Sequence, residues 1–158
     1  MKLALFTVTY SGLWYKGPSL TVTEQITKAR EIGFEGIAIE ARRPVASPLD
    51  LDDKDLLEIR EFSNSEGIAI CAVETMSNFA SPILEQRENN LAMVRETLRM
   101  AHSLETNIVK VFAAWPGTSL RNGLGTYDLA RRYSYPDVTA PERWRWCVEG
   151  IRESAKWA

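Results

Sequence analysis

Short runs of apolar and β-branched residues recur along the chain, separated by stretches with a helical pattern. The runs cover residues 3–9, 36–40, 68–74 and 108–113. Each run is continuous rather than alternating, which is typical of strands buried on both faces of a parallel sheet. The pattern therefore predicts four parallel strands.

The stretch after the first run predicts an amphipathic helix. Val22, Ile26 and Ala29 recur at helical spacing and would form its buried face. Thr21 and Glu24 are spaced as a capping box, in which each side chain bonds to the backbone N–H of the other residue. The pattern thus predicts both where this helix begins and which face it buries.

Two more helices are predicted between the later runs. The second covers about residues 53–66, after an aspartate that can cap it. The third opens at Ser81 and Pro82, an N-cap followed by proline at the first helical position. Its apolar stripe consists of Leu84, Leu91, Val94, Leu98 and Ala101.

A fourth helix follows the last run. It begins at another capping box, formed by Thr139 and Glu142. No Gly, Asn or Pro follows its pattern, so the helix is expected to continue to Ala158 without a stop signal. Its inner face is predicted at Trp144, Val148, Ile151 and Ala155.

The order βαβαβαβα predicts an α/β fold with right-handed crossovers. Such units build either a doubly wound open sheet or an eight-stranded barrel. A barrel needs about 250 residues, whereas this chain has 158. We therefore predict a single unit over residues 1–158, the parallel (βα)₄ half of a (βα)₈ barrel, truncated after the fourth helix. The alternative is a complete small α/β domain.

Composition narrows the function classes. Apolar residues make up 45% of the chain and charged residues 25%, the balance of a soluble globular protein. A formal net charge of -2 gives no positive field for nucleic acid or anionic lipid, and no stretch is apolar enough to span a bilayer. Cys71 and Cys147 form no metal or redox motif and are expected to be buried thiols in a reducing cytoplasm.

Two carboxylates at predicted strand ends are candidate site residues, since ligands bind where the strands of such folds end. Glu40 and Glu74, facing one cavity, could bind a metal or move protons. Alternatively, each pairs with a nearby arginine such as Arg42 or Arg43. His102 is the only histidine and lies in a predicted helix, so the sequence supports neither a histidine metal site nor a Ser–His or Cys–His catalytic pair.

The aromatic candidates are Tyr10, after the first strand, and Trp115, after the fourth. Trp115 lies in a loop predicted over residues 114–139, which is long enough to indicate a functional segment. Aromatic and arginine side chains together suit a ring-shaped polar ligand or, equally, a subunit interface. The loop provides Trp115, Tyr127, Tyr133, Tyr135, Arg121, Arg131 and Arg132. Trp115 could instead simply pack against the loop, in which residues 122–125 indicate a turn.

Three groups of residues carry a resemblance to a known family. Residues 33–40 look like its second strand, ending in Glu40, and residues 77–81 look like the segment between its third strand and third helix. Residues 109–112 and 115–117 look like its fourth strand and the turn that follows. The chain resembles the N-terminal half of the xylose-isomerase-like TIM-barrel superfamily, the sugar phosphate isomerase/epimerase group. That superfamily also contains apurinic endonucleases and inosose dehydratases.

The resemblance implies an enzyme that binds one or two divalent cations (Mn²⁺, Mg²⁺, Co²⁺ or Zn²⁺) and moves a proton next to a carbonyl of a sugar or polyol. The family's metal ligands lie at the ends of strands five to eight, so the resemblance implies no complete metal site in this chain. The chain would supply one wall of the substrate pocket and be inactive alone. The residues that would position the substrate are Tyr10, Glu40, Glu74 and Trp115.

Two observations bear on the other readings. The endonuclease branch has metal-binding histidines at the ends of strands three and four, where this chain has Glu74 and Trp115, and this argues against a DNA-repair role. A separate hypothesis is a non-catalytic half-barrel, because unpaired edges of the first and fourth strands could join two copies around a twofold axis. A flavodoxin-like domain is a third hypothesis, which no phosphate-loop motif supports.

Overall fold

The computed structural model describes residues 1–128, 135 and 137–158. Its main sheet is parallel, with the strand order β1-β2-β3-β4. The strands are β1 (Ala4–Phe6), β2 (Gly36–Glu40), β3 (Ala69–Glu74) and β4 (Val109–Lys110). The longer helices are α1 (Val22–Ile32), α2 (Asp53–Ser65), α3 (Leu84–Ser103) and α4 (Ala140–Ala155). The predicted parallel βα order is confirmed.

The two faces of the sheet differ. Ile37, Ile39 and Val73 point towards the helices and are fully buried in the main core. The alternating positions point to the opposite face, where Ala38 is half-buried and Lys110 is exposed. The expectation that the strands are buried on both faces is therefore wrong, because the helices among the described residues cover only one side of the four strands.

The first and last strands are shorter than predicted because side chains replace part of the backbone ladder. After β1 the chain turns into a 3-10 helix (Thr7–Tyr10), and the Thr7 hydroxyl accepts the N–H of Glu40 at 2.8 Å. Beyond β4, the Ser77 hydroxyl donates to the carbonyl of Phe112 and accepts its N–H, at 2.6 and 3.0 Å. Both strand ends are thus held by side chains that a hydrophobic pattern does not identify.

The helix starts agree with the predictions in three of the four longer helices. The capping boxes Thr21/Glu24 and Thr139/Glu142 are both present, and Asp52 caps α2. Helix α3 instead begins at Leu84, because Ser81 forms a separate turn, accepting the N–H of Ile83. Leu84, predicted to be buried, is 56% exposed, whereas Val94 and Ala101 are buried, as predicted. Leu91 and Leu98 are half-buried.

Helix α4 buries a different face from the predicted one. Trp144 is 73% exposed and Ile151 is 41% exposed, while the buried positions are Cys147, Gly150 and Ser154. Gly150 sets this orientation, because a Cβ atom there would lie 2.5 Å from the ring of the buried Phe79. The helix ends at Ala155, three residues before the expected end.

The long segment after β4 contains a hairpin that was predicted only as a turn. Strands β5 (Ser119–Arg121) and β6 (Leu124–Thr126) pair antiparallel around Asn122 and Gly123. Both turn residues have positive φ, 52° and 78°, as a two-residue hairpin turn requires. Arg131, Arg132 and Tyr133, named above as members of this loop, lie outside the described residues. No helix in the described part of the chain is long and apolar enough to cross a membrane.

Candidate functional site

Glu40 and Glu74 are paired in register at the carboxyl ends of β2 and β3. The residues that precede them, Ile39 and Val73, point into the helix-covered core. Because side chains alternate along a strand, both carboxylates lie on the opposite, inner face of the sheet. The structure therefore brings the two predicted carboxylates together.

Glu40 forms an ion pair with Arg42, the pairing that the sequence left open as an alternative. Arg42 Nε donates to Glu40 Oε1 at 2.7 Å, and Arg42 Nη1 donates to the Thr118 hydroxyl at 3.4 Å. The Glu40 side chain is 0% exposed, and this burial raises the pKa of its carboxyl group, an effect that Arg42 partly offsets. Neighbouring Glu74 raises the same pKa further. Glu40 is therefore a buried carboxylate whose cationic partner is Arg42.

Glu74 pairs with a lysine that the sequence analysis did not single out. Lys110 Nζ donates to Glu74 Oε2 across β3 and β4. The same ammonium lies 5.4 Å from the ring centroid of Phe6 and 4.8 Å from that of Phe112. Its position within an otherwise apolar strand run was the available signal, since a lysine there must find a carboxylate, a ring or solvent.

Trp115 lies at the centre of an aromatic cluster next to this ion pair. Its ring is 5.0 Å from Phe112 and 5.6 Å from Tyr127, and Tyr127 is 5.2 Å from Trp14. The Trp115 backbone N–H donates to Ser77 O at 3.0 Å. The indole Nε1 is buried and has no hydrogen-bond partner among the described residues.

Tyr10 lies apart from the other three candidates. It packs against the helix-covered core and meets Tyr15 edge to face at 6.5 Å. Among the described residues, no hydrogen bond or ring contact connects it to Glu40, Glu74 or Trp115. The structure thus brings together three of the four predicted site residues.

The residues at this face do not fit a metal ion. Within the described ranges, no group of three or more His, Cys, Asp or Glu side chains is arranged to hold one. Glu40 and Glu74 are each neutralised by a cationic side chain. Cys71 and Cys147 are free thiols that donate to backbone carbonyls, and burial raises the pKa of both. Neither thiol is therefore an activated nucleophile.

The inner face at the strand ends combines polar groups with aromatic rings. Its polar groups can accept or donate hydrogen bonds, and its rings present flat apolar faces next to them. This combination matches a sugar, whose ring has apolar C–H faces and a rim of hydroxyl groups.

Comparison with known proteins places this geometry in a family. A family model described as xylose isomerase-like TIM barrel matches residues 26–158. No curated protein sequence matches the chain. A solved structure of D-psicose 3-epimerase with D-tagatose from Clostridium cellulolyticum is similar, with a TM-score of 0.71 and 20% identity. The match covers 99% of this chain and 48% of that chain.

Two further structures give the same result. A D-psicose 3-epimerase in the presence of D-fructose matches with a TM-score of 0.71 and 21% identity, over 100% of this chain and 48% of that one. A xylose isomerase-like TIM barrel protein from Mycobacterium smegmatis in complex with magnesium matches with a TM-score of 0.64 and 20% identity, over 99% and 51% of the two chains. The chain therefore spans about half the length of these structures, and the likeness confirms the half-barrel fold.

Proposed function

Since this chain belongs to the xylose isomerase-like TIM barrel family, we propose that it supplies one wall of the substrate pocket of a sugar isomerase or epimerase. The observation that carries the proposal is the inner face at the strand ends, where two paired carboxylates lie beside an aromatic cluster. Ligands of barrel enzymes bind at this end of the strands. The face therefore lies where a substrate would be held.

The proposed roles follow from the contacts. Glu40 and Glu74 accept hydrogen bonds from sugar hydroxyl groups, while the ion pair with Lys110 holds the Glu74 side chain in place. Trp115 packs against the apolar face of the sugar. Tyr10 contributes through the segment after β1, which it anchors on the core.

Proton transfer next to a carbonyl requires groups beyond this wall. The described residues form no metal site, so a divalent cation would need ligands from the other half of a completed barrel. This chain's own residues bind and orient the substrate, and the two free thiols are in keeping with a cytoplasmic protein.

Saturation-transfer NMR of the chain with D-fructose and D-psicose tests the proposal. We expect transfer to the ketose protons for the natural chain and its loss for Trp115→Ala. Trp144→Ala is the matched control, because Trp144 is an exposed tryptophan on the opposite side of the sheet. No transfer from the natural chain to either ketose contradicts the proposal, and so does conversion of D-fructose by the purified chain alone.

A second candidate function is assembly of two half-barrels, and the exposed apolar surface favours it. Ile108 beside β4 is 59% exposed, and Trp144 and Ile151 are exposed on α4. A groove of about 1010 Å³ lies between α3, β4 and the C-terminal part of α4, and Trp157 contributes to its lining. Light scattering discriminates between the candidates: a tight dimer supports assembly of two copies, and a stable monomer opposes it.

A further inference from the structure

Within the part of the chain that the structure describes, two polar atoms at the end of β2 are buried without a hydrogen-bond partner. They are Glu40 Oε2 and Arg42 Nη2. Each belongs to a charged group, and leaving such an atom unpaired in the interior costs more free energy than leaving a neutral one unpaired. These two atoms therefore point to an occupant that can pair with both.

The two atoms belong to the two partners of one incomplete ion pair. Arginine commonly binds a carboxylate through two parallel hydrogen bonds, one of them from Nε and the other from the Nη2 nitrogen on the same side of the guanidinium group. Here the Nε–Oε1 bond is made at 2.7 Å. The second bond is not made, so Nη2 and Oε2 both lack a hydrogen-bond partner among the described residues.

Neighbouring groups fix both partners in this arrangement. The Glu40 N–H is bound by the Thr7 hydroxyl at 2.8 Å. Arg42 Nη1 donates to Thr118, in the same segment that carries Trp115. The Ala41 N–H, between the two, donates to the carbonyl of Glu74 at 2.7 Å. These three contacts therefore hold Glu40 and Arg42 in fixed positions at the end of β2.

The pattern of the two free atoms selects the chemistry of the occupant. Nη2 can only donate a hydrogen bond, and the ionised Oε2 can only accept one. A hydroxyl group satisfies both, by accepting from Nη2 and donating to Oε2. A phosphate or carboxylate would face the negative charge of Glu40, and a cation would face Arg42.

We propose that Glu40 and Arg42 together bind one hydroxyl group of an uncharged polyhydroxylated ligand. The proposal rests on the proposed function, because it assumes that a sugar lies against this face. It adds a defined contact: the substrate presents a hydroxyl, not a phosphate, at the end of β2. The two residues are specificity-determining because a deoxy analogue would leave both charged atoms unpaired.

The Arg42 Nε–Hε signal in the ¹⁵N-labelled chain reports on the guanidinium group that would make this contact. D-fructose is the probe, the signal is assigned from its loss in Arg42→Lys, and the indole signal of Trp115 is assigned from Trp115→Phe. We expect D-fructose to shift the Arg42 and Trp115 signals together. We expect Glu40→Gln to weaken the apparent affinity by about tenfold or more, as loss of a hydrogen bond to a charged group does.

Glu96→Gln is the matched control, because Glu96 also pairs with an arginine, Arg99 at 3.0 Å, but on the exposed surface of α3. Its affinity for D-fructose should equal that of the natural chain. The backbone amide spectrum shows whether Glu40→Gln is folded, and Arg42→Lys, which loses Nη2 but keeps the charge, provides a second variant with the same expected weakening.

The outcomes separate this inference from the proposed function. A fructose-dependent shift of Trp115 without a shift of Arg42, or with unchanged affinity in both variants, overturns the hydroxyl contact and leaves the binding wall in place. No shift of either signal overturns both. A shift of Arg42 with inorganic phosphate but not with D-fructose overturns the choice of a hydroxyl group.

Discussion

Helices α1 and α4 begin in the same way and end up in different environments. Each starts at a Thr/Glu capping box and carries an apolar stripe at helical spacing. In α1 the stripe is buried, and Ile26 is fully enclosed. In α4 the predicted stripe faces solvent at Trp144 and Ile151. The helical pattern alone therefore does not determine burial.

The difference follows from the number of strands on which each helix can pack. In a right-handed βαβ unit, the helix packs over the strand before it and the strand after it. For helix α1 these two strands are β1 and β2. Helix α4 follows β4, and the described residues contain no further strand of the main sheet. Because a strand after α4 is not among the described residues, the helix packs through small residues onto α3 and Phe79.

The largest effect on stability is expected for Ile26→Ala in α1, the helix that packs over two strands. Ile26 is completely buried in the main core, so removing its side-chain atoms leaves a cavity. We expect the free energy of unfolding to fall by about 2–5 kcal/mol, as measured by urea denaturation followed by circular dichroism. A loss below about 1 kcal/mol would mean that α1 is no better enclosed than α4.

The next largest effect on stability is expected for Gly150→Ala, which tests how tightly α4 is packed beside β4, at the end of the strand order. In most helix interiors this change is stabilising. Here the new Cβ atom would press against the buried Phe79 ring, so we expect a loss of about 1–3 kcal/mol. Glu149→Ala, at an exposed neighbouring position, should change the stability by less than about 0.5 kcal/mol. An increase in stability for Gly150→Ala would show that α4 moves freely away from Phe79.

These two helices also show what the sequence could predict. Capping boxes act locally, through atoms two to three residues apart, so Thr21 and Thr139 were sufficient to place both helix starts. The burial of α4 depends on the approach of Gly150 to Phe79, a contact between distant parts of the chain. Periodicity favoured the larger apolar residues and therefore chose the wrong face.

The candidate site likewise contains features that the sequence predicts and features that depend on contacts between distant residues. Glu40 and Glu74 were predictable because parallel strands end at one edge of a sheet, and Arg42 was already a considered partner of Glu40. The pairing of Lys110 with Glu74 depends on the register between β3 and β4, which no local pattern encodes. The position of Tyr10 depends on the 3-10 helix that ends β1 early.

A third prediction compares the buried Glu40 carboxylate at the end of β2 with its neutral isostere. Burial raises the pKa of Glu40 above its ordinary value of 4.5, so the folded chain binds more protons than the unfolded chain between the two pKa values. The unfolding free energy of the natural chain should then fall, relative to Glu40→Gln, as the pH rises from 4.5 through the raised pKa. Urea denaturation of both proteins across this range measures the difference. A difference that grows with pH would mean that the Arg42 pairing dominates over burial.

The smallest effect is expected for Ile151→Ala, the counterpart on α4 of the substitution at Ile26. Ile151 is already 41% exposed in the folded chain, so little apolar area returns to water, and alanine favours the helix. We expect a loss below about 1 kcal/mol at low protein concentration. If a second copy covers the apolar surface of β4 and α4, association stabilises the folded state by mass action. The same substitution should then become more destabilising as the protein concentration rises. An effect as large as that of Ile26→Ala at every concentration would contradict the comparison, since it would place Ile151 in a closed core within a single chain.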